Sequence, residues 1–149
     1  MISQAQSLSQ DGIDKLILRE GERLKAYKDT KGIWTIGIGD TDINNDGIRD
    51  VGPGMSISKL NSRENFKADV QWAEDCVNTN VNAELKQCQF DALVSFAFNI
   101  GASAFKYSTM VRKLNAGDVL GASKEFDRWR IPKEIIGRRN SERDQFNGK

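Results

Sequence analysis

Residues 23–39 read RLKAYKDTKGIWTIGIG. Lys31-Gly32 supplies a turn. On its far side Trp34, Ile36 and Ile38 alternate with Ile33, Thr35 and Gly37, the two-residue period of a strand. The stretch predicts a β-hairpin. Upstream, residues 9–20 predict a helix: Ser9 can cap it, Ile13, Leu16 and Ile17 form one stripe, and Gly21 can end it. Downstream, Thr41 to Pro53 is dense in Asp, Asn and Gly and predicts a loop. Beyond Ser58 the pattern turns helical and stays so. Phe66, Val70, Ala73 and Val77 step by four, three and four along one helix face. QFDALVSFAFNIG (89–101) is apolar nearly all round and predicts a buried central helix ending at Gly101. Met110, Val111 and Leu114 suit a short helix stopping near Gly117. Val119, Ala122 and Phe126 suit another that leads into Trp129. Pro132 interrupts the chain, and 137–146 can form a last helix. The predicted class is α+β: one domain over 1–149, with a helix and hairpin lobe of roughly 1–60 and a helical lobe of 61–149.

Composition narrows the chemistry. A chain of 149 residues with 38% hydrophobic and 29% charged side chains is an ordinary globular sequence, long enough for a substantial core. No apolar run is long enough to insert into a bilayer. The opening MISQAQSLSQDG is polar and lacks the basic-then-apolar pattern of a secretory signal. There are no histidines, so Ser-His-Asp and Cys-His catalysis and histidine-ligated zinc are excluded. Proton transfer, if the chain is an enzyme, falls to carboxylates. A net charge of +1 gives no global field for nucleic acid. Arg128, Arg130, Lys133, Arg138, Arg139 and Arg143 form a local basic cluster, which is either a solvated face or part of a site. It lacks the interleaved aromatics of a nucleic-acid interface. Cys76 and Cys88 match neither a disulfide framework nor a zinc site and are expected to be buried thiols.

Three residues form a candidate catalytic constellation. Glu20 closes the first helix, where its carboxylate meets the negative end of the helix dipole. That is a poor place for a structural glutamate and a good one for a proton donor, the more so if it is partly buried. Asp29 lies at the hairpin turn and Thr35 on the returning strand, so a hairpin folded beside the helix end brings the three together. One acid can then protonate a glycosidic oxygen while the other activates water, with a hydroxyl helping to hold that water. Read singly, Asp29 is a turn former and Thr35 an ordinary β-branched strand residue.

The spacing Glu20, eight residues, Asp29, five residues, Thr35 resembles the catalytic triad of the phage-type lysozymes, glycoside hydrolase family 24. RLKAYKD and WTIGIG flank the triad as in T-even and lambdoid phage lysozymes. VGPGMSIS, FAFNIG, and RW followed by IGRRNSER extend the likeness over nearly the whole chain. The resemblance implies a lysozyme-like fold with a cleft between the two lobes. It also implies a muramidase that hydrolyses the β-1,4 bond between N-acetylmuramic acid and N-acetylglucosamine of peptidoglycan, inverting and without a cofactor. By matching words, Phe98, Asn99 and Ser108 would lie in the saccharide cleft. Arg138, or Arg139 beside it, would approach Glu20. The expected form is a monomer whose partner is the glycan strand. It would accumulate in the host cytoplasm and reach the periplasmic wall once another protein opens the membrane, although a tail, baseplate or effector unit would read alike. A catalytically silent wall-binding module is the alternative.

Two stretches depart from the family pattern. Relatives read Gly-His-Thr where this chain has Gly39-Asp40-Thr41. The histidine's partner acid would correspond to Asp69, so two carboxylates are expected to face each other. Beside it lies DINNDGIRD (42–50). Asp42, Asn44, Asp46, Gly47 and Asp50 match positions 1, 3, 5, 6 and 9 of a calcium loop, but Pro53 stands where the twelfth-position acid belongs. A turn-rich surface loop without metal is the favoured reading, with Ca2+ as the alternative.

Overall fold

A computed structural model describes residues 5–44 and 46–149. Helix α1 runs Gln10–Glu20, strands β1 and β2 run Arg23–Lys28 and Trp34–Gly37, and α2 runs Lys59–Asn80. Then follow α3 (Gln87–Ile100), α4 (Ala102–Lys106), α5 (Thr109–Asn115), α6 (Val119–Glu125) and α7 (Ile136–Phe146). Single 3-10 turns occupy Phe126–Arg128 and Lys133–Ile135. The strands pair antiparallel, with Tyr27 opposite Thr35 and Lys28 opposite Trp34. This is the predicted α+β order. Helix α4 was not predicted, because five residues between Gly101 and Ser108 are too few to show a period. No described helix is long and apolar enough to cross a membrane.

The chain resolves into two compact units: Asp14–Gln71, and the segment up to Ile13 together with Trp72–Lys149. The first holds the hairpin, and its buried apolar side chains are Leu16, Ile17, Ile36, Ile38, Phe66 and Val70. Burying each contributes roughly 1.5–3 kcal/mol. The alternation along β2 does not appear as alternating burial, for Thr35, Ile36, Gly37 and Ile38 are all buried. The reason is local. Gly37 and Gly39 adopt φ of 65° and 75°, and the chain doubles back so that Ile36 and Asp40 exchange backbone hydrogen bonds of 2.8 and 2.9 Å.

The larger unit is built on α3, whose residues 90–97 are all buried. Phe96 sits at the centre of an edge-to-face cluster, with ring centroids 5.2 Å from Phe126, 5.7 Å from Trp129 and 6.2 Å from Phe105. Such pairs favour one arrangement over the alternatives that area burial alone would permit. Cys76 is buried, but Cys88 is only half-buried, which corrects the expectation of two buried thiols; both are free. Cys88 lies in the first turn of α3, ahead of its fully buried run.

The start of α1 belongs to this larger unit and is tied to α3. Ser9 caps α1 by accepting from the Gly12 N–H at 3.0 Å. Asp91, 3% exposed, accepts from the Ser9 N–H at 3.1 Å, the Ser9 hydroxyl at 2.5 Å and Gln87 Nε2 at 2.8 Å. A Cβ on Gly12 would stand 2.4 Å from Asp91 Cγ, and the three donors hold that carboxylate in place. Gly12→Ala is therefore expected to destabilise the protein by about 1–3 kcal/mol, as overpacking does. Urea unfolding checks this, and an unchanged midpoint would show that Asp91 yields freely.

Candidate active site

Asp29, Thr35 and Glu20 all lie in the Asp14–Gln71 unit. Asp29 follows β1, and its Oδ1 accepts the backbone N–H groups of Lys31 and Ile33, both at 2.8 Å. Its own N–H donates to the Ile33 carbonyl at 2.9 Å. The hydroxyl of Thr35, 4% exposed, donates to the same Ile33 carbonyl at 3.0 Å. The hairpin thus brings Asp29 and Thr35 together around one residue, Ile33. Gly32, with φ of 79°, supplies the left-handed step that the turn needs. Asp29 does act as a turn former, but through one oxygen only. Oδ2 carries none of these bonds, which leaves its lone pairs for a water.

Glu20 is the last residue of α1, and the Gly21 N–H closes the helix onto the Ile17 carbonyl at 2.7 Å. Gly21 has φ of 83°, the left-handed conformation that commonly ends helices. Glu20 is exposed rather than partly buried; it is the terminal residue of α1, from which the chain turns away at Gly21.

Two residues further on lies an anchor that sequence reasoning missed. Glu22 Oε2 accepts the Ser62 hydroxyl at 2.8 Å and Arg63 Nε at 3.2 Å, while Oε1 accepts Arg63 NH2 at 3.3 Å. Arg63 also reaches Asp14 at 3.6 Å. Burial works to raise the Glu22 pKa, but the Arg63 and Ser62 hydrogen bonds outweigh it and hold the carboxyl below its usual range. Gly37 permits the close approach here, since a Cβ would lie 3.1 Å from Ser62 Oγ. The segment joining α1 to β1 is thereby fastened to α2. A Glu-to-Ser-Arg pairing 40 residues apart leaves no periodic signal in the sequence.

Asp40 and Asp69 do face each other. Asp40 is 6% exposed, and no donor among the described residues reaches its Oδ2. Burial, then a hydrogen bond to Asp69, then the charges of Asp69, Asp42 and Asp50 push its pKa up to about 8. The acid-to-acid hydrogen bond needs a proton on one of the two. The folded state keeps a proton that an unfolded Asp releases near its ordinary 3.8. Stability from this pair is therefore complete below about pH 4 and drains away as pH rises toward 8. Calorimetry from pH 4 to 9 should show Asp40→Asn flattening this decline and melting above wild type at pH 8. Each kcal/mol is worth roughly 2–4 °C at this size. Parallel pH profiles for the two proteins would refute the shared proton.

The 42–50 loop is organised by side chains accepting backbone N–H groups. Asp42 Oδ2 takes Gly47 at 2.8 Å, Asp46 Oδ1 takes Ile48 at 2.8 Å and Asp50 Oδ1 takes Ile43 at 2.9 Å. Asp and Asn turn chains in this way without an ion. Among the described residues, no group of three or more Cys, Asp or Glu is placed to hold a metal; Asn45 lies outside them.

The other expected site residues belong to the larger unit. Phe98 is half-buried and stacks on Trp72, with centroids 5.8 Å apart. Asn99 is exposed, and its Oδ1 accepts from Arg139. The Asn99 amide is thereby oriented with its NH2 group left to donate. Ser108, 5% exposed, caps α5 by accepting from Val111 N–H at 3.2 Å and donates to the Phe105 carbonyl at 2.7 Å. Its hydroxyl has a structural role that the sequence did not reveal. Arg138 donates to Glu142 at 3.2 Å and to the Ser95 carbonyl at 3.0 Å, and the buried Arg139 donates to Glu142 at 2.6 Å. Arg128 pairs with Glu125 at 2.8 Å, while Arg130 and Arg143 pair with Asp127 at 2.9 and 2.8 Å. The five arginines of the C-terminal basic cluster are thus paired with acids of the same region.

Known proteins resemble this chain over nearly its whole length. The phage lysozyme family matches residues 18–142. The endolysin of Salmonella phage P22 is 44% identical over 143 residues, covering 93% of this chain and 97% of the relative. A crystal structure of a P22 lysozyme mutant superposes with a TM-score of 0.86 at 42% identity, covering 95% of this chain and 99% of that one. The endolysin of Escherichia coli O157:H7 phage FAHEc1 gives 0.87 at 32% identity over 98% and 96%. The muramidase domain of SpmX from Asticaccaulis excentricus gives 0.81 at 31% over 95% and 97%. The chain belongs to the phage lysozyme family. It is a glycosidase that lyses bacterial peptidoglycan, with the fold of an endolysin.

Proposed function

We propose that this enzyme hydrolyses the β-1,4 bond between N-acetylmuramic acid and N-acetylglucosamine, with Glu20 as general acid and Asp29 and Thr35 as the water-holding pair. The observation that carries the reading is the geometry around Ile33. Asp29 and Thr35 are locked to the two sides of one residue, so a carboxylate oxygen and a hydroxyl are preorganised without the substrate having to order them. In the proposed reaction Glu20 donates its proton to the glycosidic oxygen as that bond breaks. Asp29 takes a proton from the water whose oxygen attacks the anomeric carbon from the opposite face, inverting it. The protein would act as a monomer on glycan strands of the periplasmic wall, reaching them after the host membrane is opened. Phe98, Asn99 and Arg138 remain the residues proposed to meet saccharide.

Mass spectrometry of digested peptidoglycan tests the bond. New reducing ends on N-acetylmuramic acid are expected, and reducing ends on N-acetylglucosamine would exclude a muramidase. Glu20→Gln should lower the rate of reducing-end release on the order of 100-fold or more with the fold intact by circular dichroism. Asp29→Asn should approach that loss, and Thr35→Ala should lose less. A Glu20→Gln protein keeping more than a tenth of the activity removes Glu20 as the acid. Wild-type protein that pellets with peptidoglycan and releases no sugar would be a binding module.

A further inference from the structure

A groove of about 490 Å³ opens between the C-terminal half of α2 and α4. It lies wholly within the larger unit, and none of its lining residues belongs to the proposed catalytic set. Two aromatic side chains stand on its walls, Trp72 at 40% and Tyr107 at 69% exposure. Both are large for surface positions, where a ring gives up part of the burial that makes aromatics useful in folding, and the Lys106 ammonium lies over the Tyr107 ring at 5.4 Å. Trp72 is also held rigidly, its indole stacked on Phe98 with the ring planes 24° apart. Cys76 and Ala102 line the groove with small side chains, and Thr79 and Ser103 add hydroxyl-bearing ones. The charged lining is one anion, Asp75, and one cation, Lys106, so the groove has no net charge to offer a polyanion.

We propose that this groove is a saccharide-binding site that takes an uncharged N-acetylglucosamine unit of a peptidoglycan glycan strand. A pyranose ring has an apolar C–H face and a rim of hydroxyls. The Trp72 and Tyr107 rings cover the first, and Thr79, Ser103, Asp75 and Lys106 bond the second. A fixed aromatic plane binds at low entropic cost, because Phe98 has already ordered it. The identity of the polymer rests on the muramidase reading; the existence of a sugar site does not. Trp72 escaped the sequence reading because it falls next to the apolar stripe of α2, where an aromatic reads as core.

NMR titration of Glu20→Gln protein with an N-acetylglucosamine hexamer tests this, since the three indole N–H signals report separately. A saturable shift of the Trp72 signal is expected, with Trp129, packed against Phe96, unmoved. Tyr107 lines the groove and is mostly exposed, so Tyr107→Ala should fold normally and weaken binding roughly 2- to 10-fold. Sugar bound at Phe98 alone would move Trp72 yet leave Tyr107→Ala unaffected, and that result overturns the proposal. So does an unmoved Trp72 signal at millimolar hexamer, or binding to glycan strands that disappears once an amidase has removed their stem peptides. Failure of the muramidase reading shows separately, as wild-type protein that releases no reducing ends while the Trp72 titration stands.

Discussion

The Glu22 carboxylate carries the arrangement of the smaller unit. It sits where the chain leaves α1 and enters β1, and it is gripped by Ser62 and Arg63 from the first turns of α2. A half-buried carboxylate with charge-assisted bonds at both oxygens has little freedom to move, because shifting it gives up bonds that an ionised group makes strongly. Everything proposed to do chemistry hangs from this fastening. Glu20 is two residues before it, and β1 leads directly from it to Asp29. The hairpin then needs only local bonds around Ile33 to present Asp29 and Thr35. Placement of the acid comes from a tertiary contact, whereas placement of the water-holding pair comes from a turn.

The larger unit uses buried charge differently. Glu142, fully buried, takes Arg139, Arg138 and the Ser95 hydroxyl, the last at 2.5 Å. Arg139 lies over the Phe96 ring at 5.1 Å and donates from its second terminal nitrogen to Asn99, while no acceptor among the described residues reaches its buried Nε. Such a network adds little net stability compared with an apolar core of equal volume. What it contributes is direction: a polar chain through the core fixes how the exposed Asn99 amide is turned, which packing alone would not do.

At Asp40, where the sequence pattern of relatives predicts a histidine, the contact with Asp69 is a shared proton. A histidine facing Asp69 would attract it at any pH where both are ionised. Two carboxyls attract only while one is protonated, and burial together with the nearby Asp42 and Asp50 charges keeps Asp40 in that state near neutrality. The contact survives the substitution: like a histidine–aspartate pair it weakens as pH rises toward 8, but it needs no ionised Asp69 and so holds in acid.

Much of this protein was legible in its residues. The limits of α1, the hairpin turn, the buried run of α3 and the loop at 41–53 follow from short-range physics: apolar period, capping side chains, and glycines where φ is positive. The family words then carried the class of activity, and the spacing of Glu20, Asp29 and Thr35 marked the candidate acids. Other features were not legible, and they share a cause. The Glu22–Ser62–Arg63 anchor, the Asp91 tie to Ser9, the paired arginine cluster, the capping role of Ser108 and the Trp72–Tyr107 groove all join side chains that only folding makes neighbours. Period and spacing report which face a residue occupies along its own element. Which partner waits on the opposite element is decided by three-dimensional packing, because hydrogen bonds and charge pairs act over a few ångströms of space however far apart the residues stand in the chain.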